Sequence, residues 1–501
     1  MCGFVGTTNK HMTSLMLDKQ AHRGPDAKGY WADNRISFGH ALLDITGAAQ
    51  TQPYITPEGN VLMLNGEIYD ATEQNDTAWL GKLLDKYGVA PLSDIDWHGA
   101  IAYYNPNSDH LFLIRDQFGT KPLWWRRAGH LEFSTSLKSF QQKESHKPTP
   151  DWYMASQFFG DECMWKNTRK VAPGEVLCFK TETKKLVKRT NLWNPYYHSW
   201  RDWNPAEFKQ KTIEQVLKVI NHGTDNKTAV FLSGGFDSTL IASIARQSNK
   251  KIVLFTLSPN YDKPDKHDSR WFRNESEMAM KTAKEFNMPI VKIPLTRDDR
   301  VQYGKMWLGE THYLWSDHNR QGPRYALCKA AADHGCKVVI TGDSGDELFT
   351  GYLHHDKRND PKWCETHTKY LSSKPWFPHK ALIDNDQWNS FFGDLLHTSE
   401  QNVLATDQTA GMFGMEARVP FLTQRYAHYV FSIPLDVRFR QLDPWGVTTK
   451  YLMREVMKEH LPAHVVNRKD KIGWSSPWDN NDPDIYKRWR LRDIEFLRRQ
   501  G

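Results

Sequence analysis

The spacing of apolar and polar residues changes character partway along the chain. Up to residue 190, short apolar runs alternate with turn-forming residues: 61–64 leads into Asn65-Gly66, 111–114 into Arg115-Asp116, and 123–125, 130–133, 176–179 and 185–187 follow. Closely spaced strands of this kind predict antiparallel sheets stacked face to face. One stretch, Asp76–Tyr87, has helical spacing instead. Residues 191–204, rich in Trp, Pro, Tyr and Asn, read as a linker.

After the linker the rhythm becomes strand, helix, strand. An apolar run at 229–232 meets Ser233-Gly234-Gly235 and then a helical pattern over 237–246. Strand-like segments at 251–257, 289–295 and 337–341 alternate with helical ones at 275–286 and 325–334. That alternation predicts βαβ units and a doubly wound parallel sheet, with ligands at the carboxyl ends of its strands. From residue 353 onward the pattern is mainly helical. The expected fold is therefore an α+β antiparallel sandwich over 1–190, then an α/β domain over 205–501 with a helical C-terminal part.

Composition narrows the function classes. A chain of 501 residues with 39% hydrophobic and 25% charged residues supports two or three folded domains of about 150 residues each. No stretch of about 18 apolar residues is present, so a membrane is not an expected partner. The opening Met-Cys-Gly-Phe-Val-Gly lacks the basic and apolar regions of a secretion signal, and a cytoplasmic location is the expectation. The net charge of +7 is spread along the chain. It suits an anionic ligand but forms no clustered basic and aromatic surface, so nucleic acid is not expected either. The six cysteines form no C-x-x-C pair and read as free thiols.

Cys2 stands apart because removal of Met1 would leave it at the chain start. A free α-amine has a pKa near about 7.7–8, so it can take the thiol proton and let one residue act as nucleophile and base. Cys2-Gly3-Phe4-Val5-Gly6, His22-Arg23-Gly24-Pro25-Asp26 and Asn65-Gly66-Glu67-Ile68-Tyr69 follow in order. This set resembles the class II glutamine amidotransferase domain, of N-terminal-nucleophile type. The resemblance implies that Cys2 attacks the glutamine side-chain amide, giving a thioester and ammonia. It implies an oxyanion hole from Asn65 and the Gly66 N–H, worth about 3–4 kcal/mol per donor in comparable reactions. It places Glu67 and Asp96 on the glutamine, Asp96 on its α-amine. In the same family an Arg clamps the α-carboxylate where this chain has Leu42. Arg35 is the cation considered as its replacement.

The second candidate site begins at Ser233-Gly234-Gly235-Phe236-Asp237-Ser238, a strand-to-helix turn suited to cradling phosphate. It has no Gly-Lys-Ser/Thr and matches the loop of ATP pyrophosphatases, which cleave between the α and β phosphates. Later, Thr341-Gly342-Asp343-Ser344-Gly345-Asp346-Glu347 places acids just after an apolar strand, and Lys450 offers a cation on a predicted helix.

Taken together, the chain resembles glutamine-hydrolysing asparagine synthetases from Cys2 to about Trp478. Arg115-Asp116-Gln117-Phe118-Gly119-Thr120-Lys121-Pro122-Leu123 and Met415-Glu416-Ala417-Arg418-Val419-Pro420-Phe421-Leu422 support the match. The resemblance implies a ligase using glutamine, aspartate and ATP, with Mg²⁺, in an assembly that admits a homodimer. ATP would lie against Leu232, Ser233, Gly234, Gly235, Asp237, Ser238, Leu257, Thr341 and Gly342. Asp237 and Asp346 would hold the metal. Asp343 stands where the family usually has Glu for the acyl-adenylate chemistry, and Lys450 would stabilise the departing pyrophosphate. The acceptor segment, Asn319-Arg320-Gln321-Gly322-Pro323-Arg324-Tyr325, lacks the family's hydroxyls but carries two arginines. Another carboxylic acid as acceptor, or ammonia as the preferred donor, is the alternative reading.

Overall fold

The computed structural model describes residues 2–47, 50–140, 160–193, 202–260, 274–313, 321–351, 360–373, 377–378, 383–438 and 450–468. Before residue 192 the strands are β1 (Gly3–Thr7), β2 (Ala27–Ala32), β3 (Ser37–Leu42), β4 (Tyr54–Ile55), β5 (Val61–Ile68) and β6 (Trp97–Asn105). They continue as β7 (His110–Arg115), β8 (Trp124–Ala128), β9 (His130–Ser134), β10 (Thr168–Lys170), β11 (Glu175–Lys180) and β12 (Lys185–Asn191). All pair antiparallel, in two six-stranded sheets ordered β10-β8-β9-β1-β3-β2 and β12-β11-β7-β6-β5-β4.

Period-2 geometry explains how β5 serves two cores. Val61 and Met63 point between the sheets, against Phe4, Phe38 and Phe133. Leu62 and Leu64 point the other way, onto Leu80 and Leu84 of the helix Asp76–Tyr87. That helix starts where the Asn75 side chain accepts from Ala78 N at 2.8 Å. The apolar run does not stop at Asn65-Gly66 as an Asn-Gly turn would require. β5 runs on to Ile68, with Gly66 opposite Gly99 of β6. Strands β1, β3 and β6 are buried almost throughout, so their mixed Gly, Ser, His and apolar residues show no alternation to read.

The second part holds β13 (Thr228–Phe231), β14 (Ile252–Pro259), β15 (Ile290–Leu295), β16 (Val338–Ile340) and β17 (Glu416–Arg418). They form one parallel sheet ordered β15-β14-β13-β16-β17, so the order reverses between β13 and β16. The loops leaving those two strands are the Ser-Gly-Gly turn and the acidic loop. The C-terminal part is mainly helical as expected, with β17 as a short strand added to the sheet. The two charged side chains of β17 hide it from any apolar pattern.

Those charges belong to a buried ionic seam between the two parts of the chain. Arg115 Nη1 and Lys170 Nζ meet Glu400 Oε1 and Oε2, each at 2.8 Å, with all three side chains almost excluded from water. Lys121 pairs with Glu416 and lies 3.2 Å from Asp407 Oδ1, whose Oδ2 takes Arg23 Nη2 at 3.0 Å. The 115–123 and 415–422 segments thus face each other.

Replacing Glu400 by Ala strands two cations away from water. A loss of about 3–5 kcal/mol is expected, read as a lower urea midpoint for the transition that separates the sheets. A change within about 1 kcal/mol would contradict the seam's role.

Candidate active site

Two sites emerge from this framework. Cys2 has the parity of Phe4, and Asn65 that of Val61 and Met63, so both face the space between the antiparallel sheets. The Cys2 thiol is 3.9 Å from Leu43 O. Burial pushes it up to about 11, with Glu416 and Asp76 adding to the effect. At neutral pH it needs a base to become a thiolate. Asn65 is fully buried, and among the described residues neither atom of its side-chain amide has a hydrogen-bond partner. A buried amide left so is costly unless something else engages it, and an oxyanion is a fitting occupant. Gly66 is required here: its φ is +151°, and a Cβ would collide with the His98 carbonyl oxygen.

The glutamine-side expectations fare differently. Glu67 is bound by Arg418 through two contacts, Nε to Oε2 at 2.8 Å and Nη2 to Oε1 at 2.5 Å. Burial alone would raise its carboxyl; Arg418 overcomes that and holds it well below the usual range. Asp96 is committed elsewhere, to Lys218 Nζ at 2.8 Å and to Arg425 N at 2.9 Å. The carboxylates whose charge reaches Cys2 are Glu416 and Asp76. Burial, then the charge of Glu67, pushes the Asp76 carboxyl up to about 7. The signal of Asp76 in the sequence is faint: an Asp opening a helix shortly after the Asn-Gly-Glu motif. Leu42 is buried at the end of β3. Arg35 lies at the other end, about 23 Å away at strand rise, bonded to Pro106 O at 2.6 Å and near Asp33 and Asp109. It is no substitute for the missing clamp.

The second site sits at the reversal of strand order, where open parallel sheets bind ligands. Leu232 is buried in the core below it, and Leu257 lies on β14 beside it. Ser233 and Ser238 brace the turn through their hydroxyls at 3.0 Å, and Gly235 N donates to Ser233 Oγ at 3.2 Å. Gly234 has φ +79°. The turn and the acidic loop pack directly together. A Cβ on Gly345 would strike the Asp237 carboxylate, and one on Gly342 would sit 3.0 Å from Asp237 Cβ.

Lys450 joins them. Its ammonium pairs with Asp237 and lies 2.7 Å from Asp346 Oδ1. Burial would lower its pKa, but the two carboxylates outweigh that and raise it, so the side chain is a fixed cation. The residue caps the helix Tyr451–Met457 rather than lying within it. Ser344, Thr350 and Lys450 all have positive φ, 71°, 57° and 60°, so backbone strain concentrates around this loop. Asp343 Oδ2 accepts from Thr341 Oγ1 at 3.0 Å and from Thr406 Oγ1 at 2.7 Å. Asp237 and Asp346 are hard oxygen donors, a fitting pair for a Mg²⁺ completed by phosphates and water. Among the described residues no cluster of three or more metal-ligating side chains occurs. Asn319, Arg320 and Trp478 lie outside the described residues. Arg324 is inside and buried, held by Thr406, Gln321 and Asn402.

Arg418 links the sites and was legible only as part of a motif. Its side chain holds Glu67, next to Asn65 and Gly66, and donates to Val219 O at 3.1 Å. Its own carbonyl accepts Thr341 N at 3.2 Å, at the root of the acidic loop.

Among the described residues no helix is long and apolar enough to cross a membrane. Comparison with known proteins agrees with the architecture. Residues 1–193 match the family model of the glutamine amidotransferase domain, and residues 221–495 that of asparagine synthase. Asparagine synthetase [glutamine-hydrolyzing] 1 of Bacillus subtilis is 23% identical over 593 residues, covering 97% of this chain and 89% of that protein. Asparagine synthetase [glutamine-hydrolyzing] 3 of the same organism is 22% identical, covering 94% and 86%. Amidase chry2 of Gibberella zeae is 28% identical, covering 83% and 64%. With a family model matched over more than half its length and both sites built on the expected sheets, the chain belongs to the asparagine synthase family.

Proposed function

We propose that the protein is an ATP-dependent amide ligase with two sites, making asparagine from aspartate with nitrogen taken from glutamine. The observation that carries this reading is the meeting of Asp237, Asp346 and Lys450 at the reversal point of the parallel sheet. Two carboxylates and a fixed cation beside a glycine turn suit a pyrophosphate leaving group.

At the second site, an acceptor carboxylate oxygen attacks the α-phosphorus of ATP. The bond to the bridging oxygen breaks, and pyrophosphate leaves with the electron pair. Lys450 offsets its growing charge. Asp237 and Asp346 would hold Mg²⁺, which when bound neutralises phosphate charge. Ammonia then attacks the acyl carbon, AMP departs, and Asp343 takes the extra nitrogen proton. At the first site the Cys2 sulfur attacks the glutamine amide while Asn65 and the Gly66 N–H receive the oxyanion. The oxyanion collapses to a thioester as the C–N bond breaks, and ammonia leaves carrying the proton that the Cys2 α-amine took from the thiol; water then hydrolyses the thioester to glutamate. Asp76, when ionised, would grip the α-amine. Separating the sites keeps water from the acyl-adenylate.

A second reading changes the acceptor. Among the described residues, Arg324 donates to the neutral side-chain oxygens of Thr406, Gln321 and Asn402. The amidase name borne by a relative 28% identical fits another acid.

Cys2→Ala is expected to abolish glutamine-dependent synthesis and leave ammonium-dependent synthesis within about twofold, measured as AMP and amide product. Loss of both with the fold intact would refute the scheme. Asp237→Ala should cut pyrophosphate release by at least about 100-fold with either nitrogen source; undiminished release would remove its assigned role. Because the Asp76 carboxyl is pushed up to about 7, its charged form gains population as pH rises through neutrality. The glutamine KM should therefore fall between pH 6 and 8 in the wild type and stay high and flat in Asp76→Asn.

A further inference from the structure

Thr406 occupies a telling position on the long helix Asp386–Met412. Threonines inside helices commonly return their hydroxyl to the carbonyl one turn back, and Thr409 does so, donating to Ala405 O at 2.6 Å. Thr406 does not. It is buried, donates to Asp343 Oδ2 at 2.7 Å and accepts from Arg324 Nε at 3.1 Å. The guanidinium N–H occupies a lone pair of the hydroxyl, so the hydroxyl proton must turn toward Asp343. Arg324 is itself held by Gln321 Oε1 at 2.9 Å and Asn402 Oδ1 at 3.1 Å. With Thr341 donating to the same Oδ2, that oxygen is engaged from two sides. Oδ1 carries no hydrogen bond among the described residues.

We propose that Thr406, fixed by Arg324, is a positioning residue for Asp343, holding Oδ2 so that Oδ1 is the oxygen that meets the nitrogen proton. This rests on the ligase reading above. Thr406→Val keeps the volume and removes the hydroxyl, whereas Thr406→Ser keeps the hydroxyl. The assay is ammonium-dependent amide and AMP formation with ATP and aspartate, or with whichever acid of a carboxylate panel the wild type amidates. The kcat of Thr406→Val should fall about 10- to 100-fold, with the KM for ATP within about twofold. Thr406→Ser should return to within about threefold of wild type. Glutamate release from glutamine and the thermal midpoint check that the rest of the molecule is unchanged. A Val variant keeping more than half of wild-type kcat overturns the proposal. So does a Ser variant as impaired as Val, since that reports packing. A wild type that forms no AMP with any acid would instead overturn the ligase reading, and this role with it.

Discussion

The buried pair between Arg418 and Glu67 ties the two parts of the molecule together. Neither charge has access to water, so each is tolerable only with the other in place. The pair also joins two pieces of machinery through a single residue. The side chain of Arg418 grips the strand bearing Asn65 and Gly66, and its backbone lies in β17, against the root of the acidic loop. The neighbouring groups around Glu400 and Asp407 extend the same seam. An interface built this way resists piecemeal rearrangement, because every partial opening strands a charge.

Much of the site was readable because its chemistry needs particular residues at particular turns. A phosphate cradle demands glycines after a buried strand, and the pattern at Ser233-Gly234-Gly235 announces both. The acidic loop follows the same logic, and its glycines pack against Asp237. What escaped the sequence depends on tertiary neighbours. β17 carries Glu and Arg inside the protein, so no hydrophobic pattern marks it. Asp96 and Asp76 are equally plausible by type. Only folding commits Asp96 to Lys218 and Arg425 and puts the charge of Asp76 within reach of Cys2. Arg35 failed as a replacement clamp for a similar reason: proximity along the chain became distance along a strand.

On the proposed reading the first site is an amide-activating centre. The Asn65 amide, without a hydrogen-bond partner among the described residues, and the close approach at Gly66 are the candidates for receiving its oxyanion. At the second site the hydroxyls of Thr341 and Thr406 both donate to Asp343 Oδ2 and hold that carboxylate in place.

The central claim is that nitrogen freed at Cys2 passes to the second site inside the protein. Its most direct test is synthesis from glutamine labelled with ¹⁵N in the side-chain amide, run in excess unlabelled ammonium, with the product amide read by mass spectrometry. The account predicts ¹⁵N enrichment far above that of the bulk ammonium pool. Product labelled only to the bulk ratio would contradict it.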